Sequence, residues 1–349
     1  MSNSKKKSRV VPTVRPCALE DFVSTDGGEE RHFDFITALR LAKKNINVAI
    51  TGVTGAGKST LINTLCGVVP GDQRPATQGD NLLLETQEVA SYVAQKASLL
   101  DEVYTVTVWD SPGVKDGTGK GPSYMQQLQK ESEDSIDILL YCIDVSQARC
   151  VPKDIVSALE VVTKIFGPSV WRHAVIILTF ANVLEENIIS EDVEDGDDTN
   201  HTFASRINHW EENIRHALMR AGVPDKIARE VPVEPAGYYG SGLSLPGRDH
   251  WLGNLWFQFL LSAHDKSRLA ILINSQHRIR DAENVTHEEL EKQQKERGEI
   301  PIVVGRQLIS KLKAGDSVAA DTIASKGDKF GSVKKRFVDF AMKKILQKS

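Results

Sequence analysis

The spacing of hydrophobic residues changes several times along this chain, and each change predicts a different element. NINVAITG (45–52), IDILLYCIDV (136–145) and HAVIILTF (173–180) are nearly continuous apolar runs. That is the pattern of strands covered on both faces of a sheet. QEVASYVA (87–94) and EVYTVTVW (102–109) alternate apolar with polar positions and predict two neighbouring strands, and VPVEPAG (231–237) reads as a last strand. Between the strands the spacing lengthens to that of helices. Phe33, Ile36, Leu39 and Leu41 predict a short lead helix within 31–44, and STLINTLCG (59–67) reads as a helix closed by Gly67. PKDIVSALEVVTKIFG opens on proline, closes on glycine and keeps helical spacing throughout. Two more helices are expected, from about Thr202 to Ala221 and over DHWLGNLWFQFLLSAH (249–264). Val68 to Glu85, with Pro70, Gly71, Pro75 and Gly79, has no period and is expected to be a mobile loop. Strands alternating with helices predict an α/β fold with a mostly parallel sheet.

With 349 residues the chain exceeds what one growing core usually holds, so one large domain with appendages or two modest domains are expected. Hydrophobic residues at 40% and charged residues at 26% exclude wholesale disorder, and a net charge of −4 argues against a nucleic-acid coat. Charge is nevertheless unevenly spread. Residues 1–30 form a polar arm that begins with Lys5, Lys6, Lys7 and Arg9, and residues 326–349 hold eight basic residues against two acidic ones. Residues 185–200 hold eight acids and no base, the composition of a solvated insertion. The four cysteines (Cys17, Cys66, Cys142 and Cys150) are too scattered for a disulfide framework or metal site and suit a reducing compartment. No apolar run reaches the length of a membrane span, and no apolar stretch follows the basic N-terminus, so a cytoplasmic location is expected.

The chemistry is concentrated in Gly52-Val53-Thr54-Gly55-Ala56-Gly57-Lys58-Ser59, which satisfies G-x-x-x-x-G-K-[ST] between an apolar strand and a helix. The glycines let main-chain amides surround phosphate oxygens, and the helix start adds the positive end of its dipole. Lys58 is expected on the terminal phosphates, Ser59 on Mg²⁺, and Thr54, Ala56 and Thr60 in the rest of the cradle. Some fifty residues later VTVWDSPG (106–113) ends a strand in Asp110, with Gly113 three positions on. In phosphate-loop proteins an aspartate at such a strand end holds Mg²⁺, and the glycine amide faces the γ-phosphate. VKDGTGKG (114–121) would then be the segment that reorders on hydrolysis.

These two boxes, together with LTFAN (178–182), resemble the translation-factor-related GTPases. The likeness is nearest to the branch holding the avirulence-induced and immunity-associated GTPases and the chloroplast outer-envelope translocon GTPases, and covers roughly residues 45–263. It implies a three-layer G domain with one antiparallel edge strand, placed at 31–264 and followed by a helical extension, 265–349. It implies GTP or GDP with Mg²⁺ as ligands, and a homodimer through the nucleotide face. Thr179, Phe180 and Asn182 stand where the guanine-reading Thr-Lys-x-Asp would stand, and Ala236 and Gly237 lie in the loop that meets the guanine carbonyl. Thr86, with Thr77 as the alternative, matches the threonine that completes the metal shell; the catalytic set is then Lys58, Thr86 and Gly113.

Two departures matter. Asn182 replaces a bidentate carboxylate acceptor with one carbonyl oxygen and an amide donor, which weakens discrimination against adenine by about 1–3 kcal/mol. Phe180 would either stack on the base or fill the core. The position after Gly113, where small GTPases hold a water-orienting glutamine, is Val114, so slow hydrolysis stimulated by a dimer or partner is expected. Arg74 is a candidate charge stabiliser or a solvated surface residue. In the tail, Phe330, Val333, Phe337, Phe340, Ala341 and Ile345 share a helical face opposite Lys335, Arg336 and Lys343. That face would lie on an anionic membrane, or on the G domain or another protomer. A non-hydrolysing scaffold, an immunity-type GTPase with a helical second domain, and an ATPase are the competing readings.

Overall fold

In the computed structural model, residues 42–66, 89–99, 102–114, 120–132, 136–146, 151–184, 199–237, 244–247 and 251–274 are described. Among them lie strands β1 (Asn45–Gly52), β2 (Ala90–Leu99), β3 (Glu102–Asp110), β4 (Ile138–Asp144), β5 (Ala174–Thr179) and β6 (Val233–Pro235). The helices are α1 (Lys58–Leu65), α2 (Gly121–Glu131), α3 (Lys153–Phe166), α4 (Thr199–Arg220), α5 (Asp225–Ala228), α6 (Trp251–Ser262) and α7 (Asp265–Asn274), with a 3-10 turn at Pro168–His173. The basic arm, most of the lead helix, the loop with Arg74, Thr77 and Thr86, the acidic run up to residue 198 and the tail helix lie outside the described residues.

The six strands form one sheet in the order β2-β3-β1-β4-β5-β6. Only β2 runs antiparallel, paired with β3 at one edge; the other neighbours are parallel. The continuous apolar runs became the interior strands: every residue of β5, and all of β4 before Asp144, is buried. Burial on both faces requires helices on both sides, and the layers follow from that. Tyr141, Trp171, Phe203 and Phe259 are among the largest side chains sealed in this core.

Two boundaries differ from the sequence pattern for identifiable reasons. β2 begins three residues later than expected, at Ala90, and runs past a register shift between Val93 and Gln95 to Leu99. A bulge there reverses the alternation, so the second half of the strand shows no continuous period. β6 is only three residues long; Pro235 has no N–H to donate, which suits an edge position.

Helix α7, past the expected end of the domain at 264, packs on β1, β2 and β3. Its Ser267 hydroxyl donates to Asp137 Oδ1 at 2.7 Å. The other oxygen of that buried carboxylate accepts from Lys43 Nζ at 2.6 Å and from the Asn47 amide at 2.8 Å. One carboxylate thus ties α7 to the entry of β1 and the start of β4. No helix among the described residues is long and apolar enough to cross a membrane.

Candidate phosphate and base site

Parallel register brings the carboxyl ends of five strands to one edge. Ile50 lies opposite Asp110, Gly52 opposite Cys142, Asp144 opposite Thr179 and Leu178 opposite Pro235. In open α/β sheets ligands bind beyond such an edge. The loop 53–57 leaves β1 there and turns into α1, whose N-cap is Gly57 in the left-handed conformation with no side-chain cap. The first amides of α1 therefore face outward without a capping oxygen, the arrangement an anion uses.

Lys58 is folded over this loop, 8% exposed, with Nζ donating to the Val53 carbonyl at 2.9 Å. Burial pulls its pKa below the usual lysine range, opposed by the nearby Asp110 charge. The consequence has a definite sign. A phosphate beside Nζ favours the ammonium, so binding takes up a proton wherever free Lys58 has lost one. Nucleotide affinity should fall as pH rises through the lowered pKa, starting below the ordinary lysine range, and Lys58→Arg should flatten the profile. Isothermal titration in buffers of different ionisation enthalpy reads both the affinity and the proton.

Asp110 is 1% exposed at the end of β3, beside β1. Ser59 is the second residue of α1, directly after Lys58. A carboxylate and a hydroxyl, both hard oxygen donors, fit Mg²⁺, which keeps several waters and takes few protein ligands. The third expected ligand, Thr86, lies outside the described residues. Gly113 abuts the phosphate loop: a Cβ there would overlap Thr54 Oγ1 and stand 2.6 Å from the Thr54 amide nitrogen. Val114 is buried and its amide donates to the Gly52 carbonyl at 3.1 Å.

The LTFAN segment sits against the same loop. The Thr179 hydroxyl donates at 3.0 Å to the carbonyls of Ala56 and Ile143, tying the end of β5 to the cradle and to β4. Phe180 has φ 58°, left-handed and strained for a bulky residue. Its ring packs at Gly57, where a Cβ would come 3.1 Å from the ring edge. The ring is half-buried, so it is not a core residue; it flanks the loop. Asn182 is 6% exposed and its Oδ1 has no hydrogen-bond partner, an unspent acceptor in a buried place. The Ala236 amide donates to Leu178 O at 2.8 Å and its carbonyl accepts from Ala181, so both its main-chain groups are engaged in the protein.

Sequence reasoning passed over Cys142. It is fully buried in β4, and its carbonyl lies so close to Gly52 that a Cβ there would be 2.5 Å away. Burial pushes its thiol up to about 12. Adjacent strand ends give no local signal of this kind; only the β1–β4 register reveals it.

Residues 47–171 match the family model described as 50S ribosome-binding GTPase. The translocase of chloroplast 34 homolog of Chlamydomonas reinhardtii is 29% identical over 159 residues, 44% of this chain and 39% of that protein. Interferon-gamma-inducible GTPase 10 of Mus musculus is 28% identical over 134 residues, 38% of this chain and 30% of that protein. The matched part of the chain thus spans two fifths or less of the length of these relatives. Toc33 from Arabidopsis thaliana in complex with Mg²⁺ and GMPPNP aligns with a TM-score of 0.45 at 17% identity, over 68% of this chain and 93% of that one. A structure of the chloroplast translocon components atToc33 and psToc159 aligns with a TM-score of 0.49 at 19% identity, over 68% and 90%. Residues 47–171, just over a third of the chain, thus match a GTPase family model across the stretch that holds the phosphate loop, Asp110 and Gly113.

Proposed function

We propose that the chain is a guanine-nucleotide switch that binds GTP with Mg²⁺ and hydrolyses it slowly, faster as a homodimer or with a partner. The observation that carries this reading is the meeting of three segments at one sheet edge: the Lys58 loop, the Asp110–Gly113 box beside it, and the Thr179–Asn182 segment tied to Ala56. Lys58 and the loop amides bind and orient the phosphates. Ser59 and Asp110, with Thr86, would hold Mg²⁺, which supplies charge neutralisation on the phosphate oxygens when bound. Asn182 Oδ1 accepts one guanine N–H, Phe180 flanks the base, and Gly237 offers the amide that Ala236 has already committed. Hydrolysis would relax residues 74–86 and 113–121 and so alter affinity for the dimer or partner mate.

The slow rate follows from Val114, which is buried and has no polar atom to orient water. The amphipathic, basic sequence of residues 326–349 would hold the chain peripherally at an anionic membrane surface. The test is a labelled guanine nucleotide competed with GTP and ATP, followed by single-turnover phosphate release at low and high protein concentration. GTP should displace the label about fivefold better than ATP, from roughly 1 kcal/mol for the single neutral hydrogen bond at Asn182 Oδ1. Release should quicken with protein concentration. Equal displacement by ATP would overturn the guanine assignment, and no release at either concentration would leave the scaffold reading in its place. The same preparation should float with anionic vesicles and lose that property when residues 326–349 are removed.

A further inference from the structure

The phosphate loop and the Asp110–Gly113 segment touch at one point, and the side chain placed there is Thr54. Gly113 lies so close that an added Cβ would overlap Thr54 Oγ1 and stand 2.9 Å from Thr54 Cα. Few other polar groups border that point. The Ser111 hydroxyl donates to the Ile50 carbonyl at 3.1 Å, Val114 is 4% exposed, and the Val114 amide is spent on Gly52. Val53, Gly55 and Ala56 bring no polar side chain. Thr54 is exposed. Among the described residues of this junction it is the hydroxyl that stands on the open side of the loop next to Gly113.

We propose that Thr54 orients the hydrolytic water, taking over the task for which Val114 has no polar atom. This rests on the GTPase reading above and adds to it the residue that reading lacks. The Gly113 amide faces the terminal phosphate, and the attacking water must stand beyond that phosphorus, in line with the bond to be broken. A hydroxyl touching Gly113 borders that position. It both donates and accepts, so Thr54 Oγ1 accepts one water O–H and leaves a water lone pair directed at phosphorus. The water oxygen bonds to the γ-phosphorus as the bond to the β–γ bridging oxygen breaks. The electron pair of that bond stays on GDP, and both water protons leave within inorganic phosphate. Thr54 keeps its own proton throughout. A neutral hydroxyl positions water without taking charge, which accords with a slow basal rate.

The experiment compares the full chain with Thr54→Val, which keeps the shape and removes the hydroxyl, and Thr54→Ser, which keeps the hydroxyl. Affinity for Mg²⁺–GMPPNP and single-turnover GTP hydrolysis are measured for all three. Expected is a Val variant whose analogue affinity stays within about threefold while turnover slows by on the order of tenfold or more, the scale of misplacing a reacting group. The Ser variant should recover to within about threefold of the original rate. Turnover undiminished in Thr54→Val overturns the proposal. Equal slowing in Val and Ser overturns it too, since the methyl and not the hydroxyl would then matter. Analogue binding weakened in proportion to turnover would make Thr54 a ground-state ligand and also overturn it. If the unaltered chain fails to bind GMPPNP at all, the fault lies with the nucleotide reading itself, and both fall together.

Discussion

Lys58→Ala should cost the protein its nucleotide while leaving its fold intact. Two charge-assisted hydrogen bonds to phosphate oxygens at about 1.5–3 kcal/mol each predict a loss of at least 3 kcal/mol in binding. That is on the order of a hundredfold to a thousandfold in Kd. Stability should move the other way or hardly at all. The free protein keeps the ammonium 8% exposed against the Val53 carbonyl, with its pKa lowered by burial. A lysine depressed in the folded state makes the unfolded chain the better proton binder between the two pKa values. Its cost to stability is therefore full below the lowered pKa and fades as pH rises through that window. Removing the ammonium relieves the cost, while losing the buried stem gives back some packing. The net change in unfolding free energy should lie within about 1 kcal/mol, the scale on which buried charges and their apolar replacements balance. Nucleotide titration and chemical denaturation on the same samples separate the two effects. Parallel loss of binding and stability would mean that Lys58 is a structural prop, not a phosphate ligand.

The contrast between what Lys58 does and where it sits also marks how far the sequence was legible. The phosphate loop reads from spacing alone because its chemistry is local: eight consecutive residues carry it, between a strand and a helix. β1, β4 and β5 read equally well, since burial on both faces leaves continuous apolar runs. Other features depend on contacts between distant segments and leave no local trace. The bulge after Val93 hid half of β2. Helix α7 begins the stretch set apart as a helical extension, and its Ser267 meets Asp137, 130 residues earlier in the chain. LTFAN left Phe180 open between base and core, and its left-handed backbone is set by neighbours far away in sequence: Thr179 is held by Ala56 and Ile143, and Ala181 by Ala236. The engaged amide of Ala236 is likewise a product of the β5–β6 ladder, invisible until the strands are paired.

Gly52→Ala should unfold the domain, whereas Gly55→Ala should leave it folded and empty. Both glycines have positive φ, 147° and 81°. An alanine at either position accepts a backbone conformation that costs about 1–3 kcal/mol. The surroundings then part company. At Gly52 the new Cβ would lie 2.5 Å from the Cys142 carbonyl oxygen, a backbone atom of the interior strand β4. Relief would require β1 and β4 to separate, breaking the Thr51–Tyr141 and Gly52–Cys142 end of their ladder. A native core does not yield in that way without losing close packing. The total should exceed about 4 kcal/mol, a large share of the stability of a typical domain. At Gly55 nothing lies within 4 Å of the added Cβ, so the strain stands alone and the melting temperature should fall by a few degrees, from roughly 1–2 kcal/mol. Binding at that position should nevertheless collapse, because the methyl group sits on a loop whose amides must close around phosphate. Circular dichroism melts paired with nucleotide titration give four readings. A folded Gly52→Ala protein would show that β1 and β4 can part at the cradle. A Gly55→Ala protein with undiminished affinity would show that the phosphates are gripped elsewhere.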